Sequence, residues 1–312
     1  MIYFLGRRLV FAIFALIGAT LITFVLSRMA GDPRYLYAQE GGYGITPERW
    51  ESLGVEMGLD KPVVWQYTVW LGNILKGNWQ DSLLDRKDVL DKILNRLPAT
   101  LKIGLASYVF AGVIGIPLGV LSAVKRGSAW DFFGRGFALF GQALPVFWLG
   151  IVLILVFSVW LRWLPTGTLG ESGNNPKYFV LPTITLGWIA AASYLRLVRS
   201  AMLEVMDSEF IKLARAKGVS STKVIWKHGF RNALIAPLTF SSLLLTAFIT
   251  GAVVTETIFS IPGLGRLAFE AISNNDFPIM VGVVLVFTFM YVGMNFITDI
   301  LYAYIDPRIR YA

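Results

Sequence analysis

Ser208–Pro237 reads SEFIKLARAKGVSSTKVIWKHGFRNALIAP and decides how the rest of the chain is read. It is polar, basic and helix-forming, and it sits between two long apolar runs. Lys212, Arg215, Lys217, Lys223, Lys227, His228 and Arg231 crowd it, and Gly218 interrupts it. The pattern predicts two short amphipathic helices at a bend. Asp207 or Ser208 caps the first, which runs through Phe210, Leu213 and Ala214 to Lys217. Glycine at 218 tolerates positive φ and stops it. Ser220 or Ser221 caps the second, on which Trp226, Phe230 and Leu234 share a stripe. One face of such a pair rests on membrane helices while the bend projects into solvent. Two readings fit: a loop that transmits force to a partner, or an interfacial pair held by anionic lipid headgroups.

Composition points to a membrane protein. Of 312 residues, 55% are hydrophobic and 15% charged, against about 45–50% and about 25% in soluble domains. The net charge of +8 does not point to nucleic acid, because Lys and Arg gather at the ends of apolar runs. The chain has no cysteine and a single histidine, His228. Disulfides, thiolate sites and multi-histidine zinc centres are therefore excluded, and no metal site is expected.

Apolar runs long enough to cross ~30 Å of hydrocarbon fall at Leu9–Leu26, Thr100–Val124, Phe137–Leu161, Tyr178–Leu197, Pro237–Thr255 and Pro278–Leu301. The first is longer than the ~7–15 residues of a signal-peptide core and reads as a retained span. Six spans give an all-α polytopic protein. Cations at Arg7 and Arg8, Lys125, Arg126 and Arg135, the basic segment, and Arg308 and Arg310 all fall on one side. By the positive-inside rule both termini are then cytoplasmic. The segment between the first two spans is external. Pro47, Leu59–Pro62 and Gly77 punctuate helical stretches in it. Trp65, Trp70 and Leu71, with Val69 and Ile74, form a candidate apolar face, and 88–97 has helical spacing.

Gly115 and Gly119 form a GxxxG pair that admits a close helix neighbour, and Pro117 between them favours a kink. Ser242, Thr246 and Thr250 recur every four residues, which puts three hydroxyls on one stripe. That stripe either lines a path for a polar solute or bonds between helices. Glu256, at the outer end of the fifth span, either gates that path or caps a neighbour. Arg196 and Arg199 read as snorkelling anchors at the inner end of the fourth span. No Asp, Glu, Lys or Arg sits mid-span, which counts against a proton- or sodium-coupled carrier. No phosphate loop of the G-x-x-x-x-G-K-[ST] type is present. An intramembrane enzyme lacks a nucleophile. The remaining candidates are a passive pore or a membrane subunit driven by a separate ATPase, with a self-contained secondary carrier or channel as the remote alternative.

The run ARAKG (Ala214–Gly218), followed by HGFRNALIAP (His228–Pro237), resembles the EAA loop of ABC transporter membrane subunits. The form is that of the dipeptide/oligopeptide permease family, B-type subunit. GRRL (Gly6–Leu9), GDP (Gly31–Pro33), NRLPATL (Asn95–Leu101), LPTG (Leu164–Gly167), ETIFSIPGLGRL (Glu256–Leu267) and DPRIR (Asp306–Arg310) extend the resemblance over nearly the whole chain. Two positions depart from the general EAA consensus. Lys212 stands where a glutamate is usual, with Glu209 the nearest acid, and Ala236-Pro237 replaces Leu-Pro.

The resemblance implies a type I ABC importer permease fold in a bacterial or archaeal cell membrane. It implies an N-terminal tail and first span at 1–28, an external segment at 29–96, a five-helix type-1 transmembrane domain at 97–303 with its coupling segment at 207–236, and a cytoplasmic tail at 304–312. It implies no covalent chemistry and no cofactor on this chain, ATP and Mg being used by partner subunits. The implied partners are a homologous C-type permease, two cytosolic ATPase subunits, an extracytoplasmic binding protein and the lipid bilayer. The residues implied to meet the ATPase are Glu209, Ala214, Arg215, Ala216, Lys217, Gly218, Ser220, Ser221, His228, Arg231 and Asn232. Peptides are the implied solute, with nickel complexes, glutathione or oligosaccharides as alternatives within the family.

Overall fold

A computed structural model describes residues 2–30, 34, 46–167, 175–250 and 252–305; the side chains of 2–5, 30, 235, 236, 242, 249, 250 and 301–305 lie outside that description. The elements are α1 (Ile2–Ala30), α2 (Pro47–Glu56), α3 (Val63–Leu75), α4 (Val89–Val124), α5 (Ala129–Ala143) and α6 (Val146–Leu153), which runs on as a π-helix over Ile154–Trp160. Then come α7 (Lys177–Met206), α8 (Glu209–Ala216) and α9 (Ser221–Lys223), which runs on as a π-helix over Val224–Phe230 and a last turn at Arg231–Ala233. α10 (Ile235–Thr250), α11 (Val253–Ile258), α12 (Leu264–Ser273) and α13 (Phe277–Ile305) complete the described chain. The all-α, multi-pass reading holds. Among the described residues four helices are long and apolar enough to cross a bilayer, and six spans result when each of two bent helix pairs counts as one.

The spans differ from the sequence reading in three places. The expected third span, Phe137–Leu161, is two helices, α5 and α6, meeting at 108°. Pro145 causes the break: it lacks an N–H and pushes the preceding residue out of the helical region, so Leu144 has ψ 126° and α6 restarts after Pro145. The helical stretch expected at 88–97, in the external segment, is continuous with the second span, making α4 one 36-residue helix with Pro98 and Pro117 inside it. The fifth span is interrupted: α10 ends at Thr250 and α11 begins at Val253.

The chain forms two compact units, Met1–Leu97 with Leu267–Phe296, and Pro98–Arg266 with Ile297–Ala312. In the first, α3 packs on α1 through aromatic rings. Phe24 meets Tyr67 edge-on at 5.6 Å and Trp70 at 5.4 Å, and the Thr20 and Tyr67 hydroxyls are 2.8 Å apart. The inward face of α3 is therefore Tyr67, Trp70, Leu71 and Ile74, at helical spacing. Trp65 and Val69, expected on that face, are exposed; Trp65 instead lies over Gly58, whose φ of +65° ends α2. Asp276, buried at the start of α13, accepts from the Ser82 hydroxyl (2.5 Å) and the Leu83 N–H (3.3 Å). Lys92 bonds Ser82 (3.2 Å) and Asp85 (2.9 Å), and this ammonium holds the Asp85 carboxyl below its ordinary range.

In the second unit, α7 is the common neighbour. A Cβ on Gly115 of α4 would stand 2.4 Å from the Ala191 carbonyl oxygen, and one on Gly119 would stand 2.8 Å from that of Leu195. From the other side, a Cβ on Gly141 of α5 would meet the Ala192 methyl at 2.4 Å. Helices in lipid gain little from apolar burial against each other, so close backbone approach supplies the packing. Ala190, Ala191, Ala192, Leu195 and Val198 are all buried.

The glycines of α5 separate packing from propensity. Gly141 has no room for a side chain, whereas a Cβ on Gly136 meets nothing within 4 Å. Gly141→Ala is expected to destabilise the purified protein by about 1–3 kcal/mol through overpacking. Gly136→Ala is expected to stabilise it by about 0.5–1 kcal/mol through helix propensity. Thermal unfolding of both variants in detergent should shift in opposite directions.

Candidate functional site

The basic segment folds into an elbow. Ser208 occupies the N-cap of α8 with extended backbone, but its hydroxyl turns back to the Val205 carbonyl (2.5 Å) and makes no capping bond. Glu209 pairs with Lys212 one turn on, at 2.7 Å. After Lys217 the Gly218 N–H donates to the Arg215 carbonyl (2.9 Å) and the Val219 N–H to that of Ala214 (3.2 Å). With Gly218 at φ +75°, this is a Schellman closure, and it requires a residue at ease in the left-handed region. Ser220 then occupies the N-cap of α9, and like Ser208 it makes no side-chain capping bond.

Exposure is divided sharply along this elbow. Arg215, Ala216, Lys217, Gly218, Ser220 and Ser221 are exposed at the tip, with Ala214 half-buried behind them. Ile211 on the first arm and Val224, Gly229 and Ala233 on the second are buried. Ala233 packs with Val120, Ala123, Val198 and Met202, at the ends of α4 and α7. A Cβ on Gly229 would press on the Met206 sulfur at 2.9 Å. The second arm carries exposed Arg231 and Asn232; Asn232 donates to the carbonyl of half-buried His228 at 2.6 Å. The arm winds as a π-helix over Val224–Phe230, yet Trp226 and Phe230 still meet, edge-on at 5.3 Å.

Close to these anchors lies a cluster that the sequence reading missed. Asp131, 2% exposed in the first turn of α5, accepts from Arg199 Nε (2.8 Å) and Nη2 (3.2 Å), the Ser122 hydroxyl (2.7 Å) and the Gly127 N–H (3.0 Å). Arg199 therefore does not snorkel as expected. A buried carboxylate in reach offers its guanidinium a two-pronged charge-assisted pair, stronger than contact with the interface. The cluster ties α4, the loop after it, α5 and α7 together. One signal was legible: Ser128 followed three residues later by Asp131 has the spacing of a capping box.

The pathway candidates separate. Thr246 is buried at 3% exposure, and the side chains of Ser242 and Thr250 lie outside the described residues. Next to the stripe, Ser241 donates to the Pro237 carbonyl (2.8 Å) and its oxygen lies 2.6 Å from the Tyr194 hydroxyl, joining α10 to α7. Glu256 is fully buried. Its carboxylate accepts from the Thr100 hydroxyl (2.6 Å) and the Arg266 N–H (3.0 Å), while the Thr100 oxygen accepts the Leu264 N–H (2.8 Å). The pair caps the first turn of α12 in place of Gly263, where any Cβ would collide with the Glu256 carboxyl. This is the physical content of the ETIFSIPGLGRL run.

Several apolar spans and an exposed basic elbow whose second arm packs on α4 and α7 define a multi-pass membrane subunit. Its fold is similar to a chain of the inward-facing MetNI methionine ABC transporter, with a TM-score of 0.55 at 20% identity over 70% of this chain and 97% of that one. It is similar also to a chain of an amino acid ABC transporter, with a TM-score of 0.53 at 13% identity over 68% of this chain and 93% of that one. The model of the binding-protein-dependent transport system inner membrane component matches residues 115–311, and that of the N-terminal part of such membrane components matches 1–104. The chain is 38% identical to the di/tripeptide transport system permease protein DppB of Pseudomonas aeruginosa (strain UCBPP-PA14), over 100% of this chain and 99% of that protein. It is equally similar, 38% over the same shares, to the dipeptide transport system permease protein DppB of Escherichia coli (strain K12). The chain belongs to the family of binding-protein-dependent transport system inner membrane components, the permease subunits of ABC importers.

Removing Asp131 leaves the Arg199 guanidinium half-buried and unpaired. Asp131→Ala is expected to destabilise the protein by about 3–5 kcal/mol. Asp131→Leu combined with Arg199→Met is expected to recover most of that, since no charge is left behind. Midpoints of thermal unfolding for the single and double variants check both.

Proposed function

We propose that this chain forms half of the pathway of an ATP-driven importer of di- and oligopeptides. It pairs with a C-type permease, takes solute from an extracytoplasmic binding protein and receives the power stroke of two cytosolic ATPases at its elbow. Both termini then face the cytosol, as the distribution of Lys and Arg favours. ATP and Mg are used by the ATPases, and the chain itself makes and breaks no bonds. Full-length similarity to permeases named for dipeptides and di/tripeptides supports the solute class.

The observation that carries the coupling role is the elbow's construction. Its tip is exposed and cationic at Arg215–Gly218 and Ser220–Ser221, while its second arm is fixed to α4 and α7 by buried Ala233 and to α7 by buried Gly229, and the first arm packs on the second. A push on the tip is thereby a push on the helix block, which is the mechanical requirement for alternating access by rigid-body motion. The Glu209–Lys212 pair presets the entry to the tip. His228, Arg231 and Asn232 flank the ATPase along the second arm.

The test is reconstitution of the assembled transporter with a dipeptide-loaded binding protein, which should stimulate ATP hydrolysis and drive uptake together. A Cβ at position 218 meets nothing within 4 Å, so substitution there acts through backbone strain alone. A β-branched residue held at positive φ costs on the order of 1–2 kcal/mol. Gly218→Val should keep membrane insertion and lose most of the uptake, whereas Gly218→Asn, tolerant of that region, should retain it. Wild-type uptake by the valine variant would refute the coupling role.

A further inference from the structure

Arg196 differs from Arg199, its neighbour on α7. It lies in α7 only three residues before Arg199, yet outside the Asp131 cluster. It is exposed, and among the described residues no carboxylate pairs with it. A cation in a spanning helix is costly unless it meets an opposite charge or a water-filled cavity. Beside Arg196 is a concavity of about 410 Å³, lined by Ser193, Arg196, Leu197 and Ser200 of α7 and Phe240 of α10. That volume lies within the ~300–1,000 Å³ of small-molecule sites.

The lining is chemically specific. The guanidinium offers N–H donors in a fork and no acceptor. Ser193 donates its proton to the Ile189 carbonyl (2.9 Å), so only its oxygen faces outward chemistry as an acceptor. The Ser200 hydroxyl is uncommitted among the described residues and serves as a further donor. Leu197 and Phe240 add apolar walls. Phe240 is itself held edge-on against the buried Tyr194 ring, at 5.2 Å. A cationic fork, a hydroxyl and an apolar wall fit an anion carried on a partly apolar body.

We propose that this concavity is a solute subsite in which Arg196 receives the carboxylate of the transported peptide. The pair is two-pronged and charge-assisted, Ser200 donates a third bond, and Phe240 and Leu197 cover the adjoining residue. The inference rests on the peptide reading, since every peptide with a free C-terminus carries this group. Arg196 is then a specificity residue of the pathway, separate from the elbow that drives it.

The experiment uses the whole transporter in vesicles of phosphatidylcholine alone or with anionic phosphatidylglycerol. A dipeptide and its C-terminal amide are each supplied on saturated binding protein. In the wild type the free acid should cross about ten- to a hundredfold faster than the amide in both lipids, the range of a charge-assisted bond. Arg196→Gln should erase that ratio by slowing the acid down to the rate of the amide, and Arg196→Lys should restore part of it. An unchanged ratio in Arg196→Gln overturns the subsite. So does an equal loss for both peptides, which marks a structural cation. A defect confined to the anionic vesicles also overturns it, because it marks a lipid-headgroup site. Wild-type transport of some other solute and of neither peptide would instead sink the peptide reading on which the subsite depends.

Discussion

Close backbone contact between α7 and its neighbours is the constraint on which the second unit depends. Lipid tails are as apolar as leucine, so helices in a bilayer are not driven together by escape from water. Gly115 and Gly119 on one side and Gly141 on the other remove the side chains that would hold the backbones apart. On α7, Ala191 and Leu195 receive the first two and Ala192 receives the third. Once α4, α5 and α7 touch at this range, the Asp131–Arg199 pair closes the same three elements at one end. The elbow then has a stiff body to pull on, because Ala233 of its second arm sits in the cluster built from α4 and α7, with Ile225 and Phe230 packed against it.

Three buried carboxylates in this protein each fasten something. Asp131 joins helices, Glu256 caps α12 through Thr100 and Arg266, and Asp276 stands at the start of α13 with Ser82. Each carboxylate meets several donors, which is the condition for keeping a charge out of water. The glycine at 263 shows the same economy from the opposite direction: removing a side chain lets a carboxylate from another helix act as its cap.

Much of the architecture was legible in the sequence, for physical reasons that can be named. Span number and the basic elbow follow from apolar length and charge position. The stop at Gly218 follows from the left-handed backbone that a Schellman closure demands. The 108° break at Pro145 was signalled by the proline but hidden by unbroken hydropathy on both sides, because a lipid-facing run reads the same whether straight or bent. The inward face of α3 was misassigned in part. Trp65 and Val69 are as apolar as Trp70 and Leu71, and only the position of Phe24 on α1 decides which rings turn inward. The continuity of α4 through Pro98 was likewise masked by a residue that ordinarily ends helices.

The pair Arg196 and Arg199 marks the limit of reading by pattern. Both sit near the end of the same span, and both suit a snorkelling anchor. A helix turns 3.6 residues per cycle, so positions three apart differ by about a sixth of a turn, enough to address different neighbours. Arg199 finds a carboxylate that lies 68 positions away in the chain, and Arg196 finds an open concavity against Phe240. The first becomes part of the scaffold; the second keeps its donors available. Chemistry identical in sequence is thus divided between stiffness and recognition by what the next helix brings alongside.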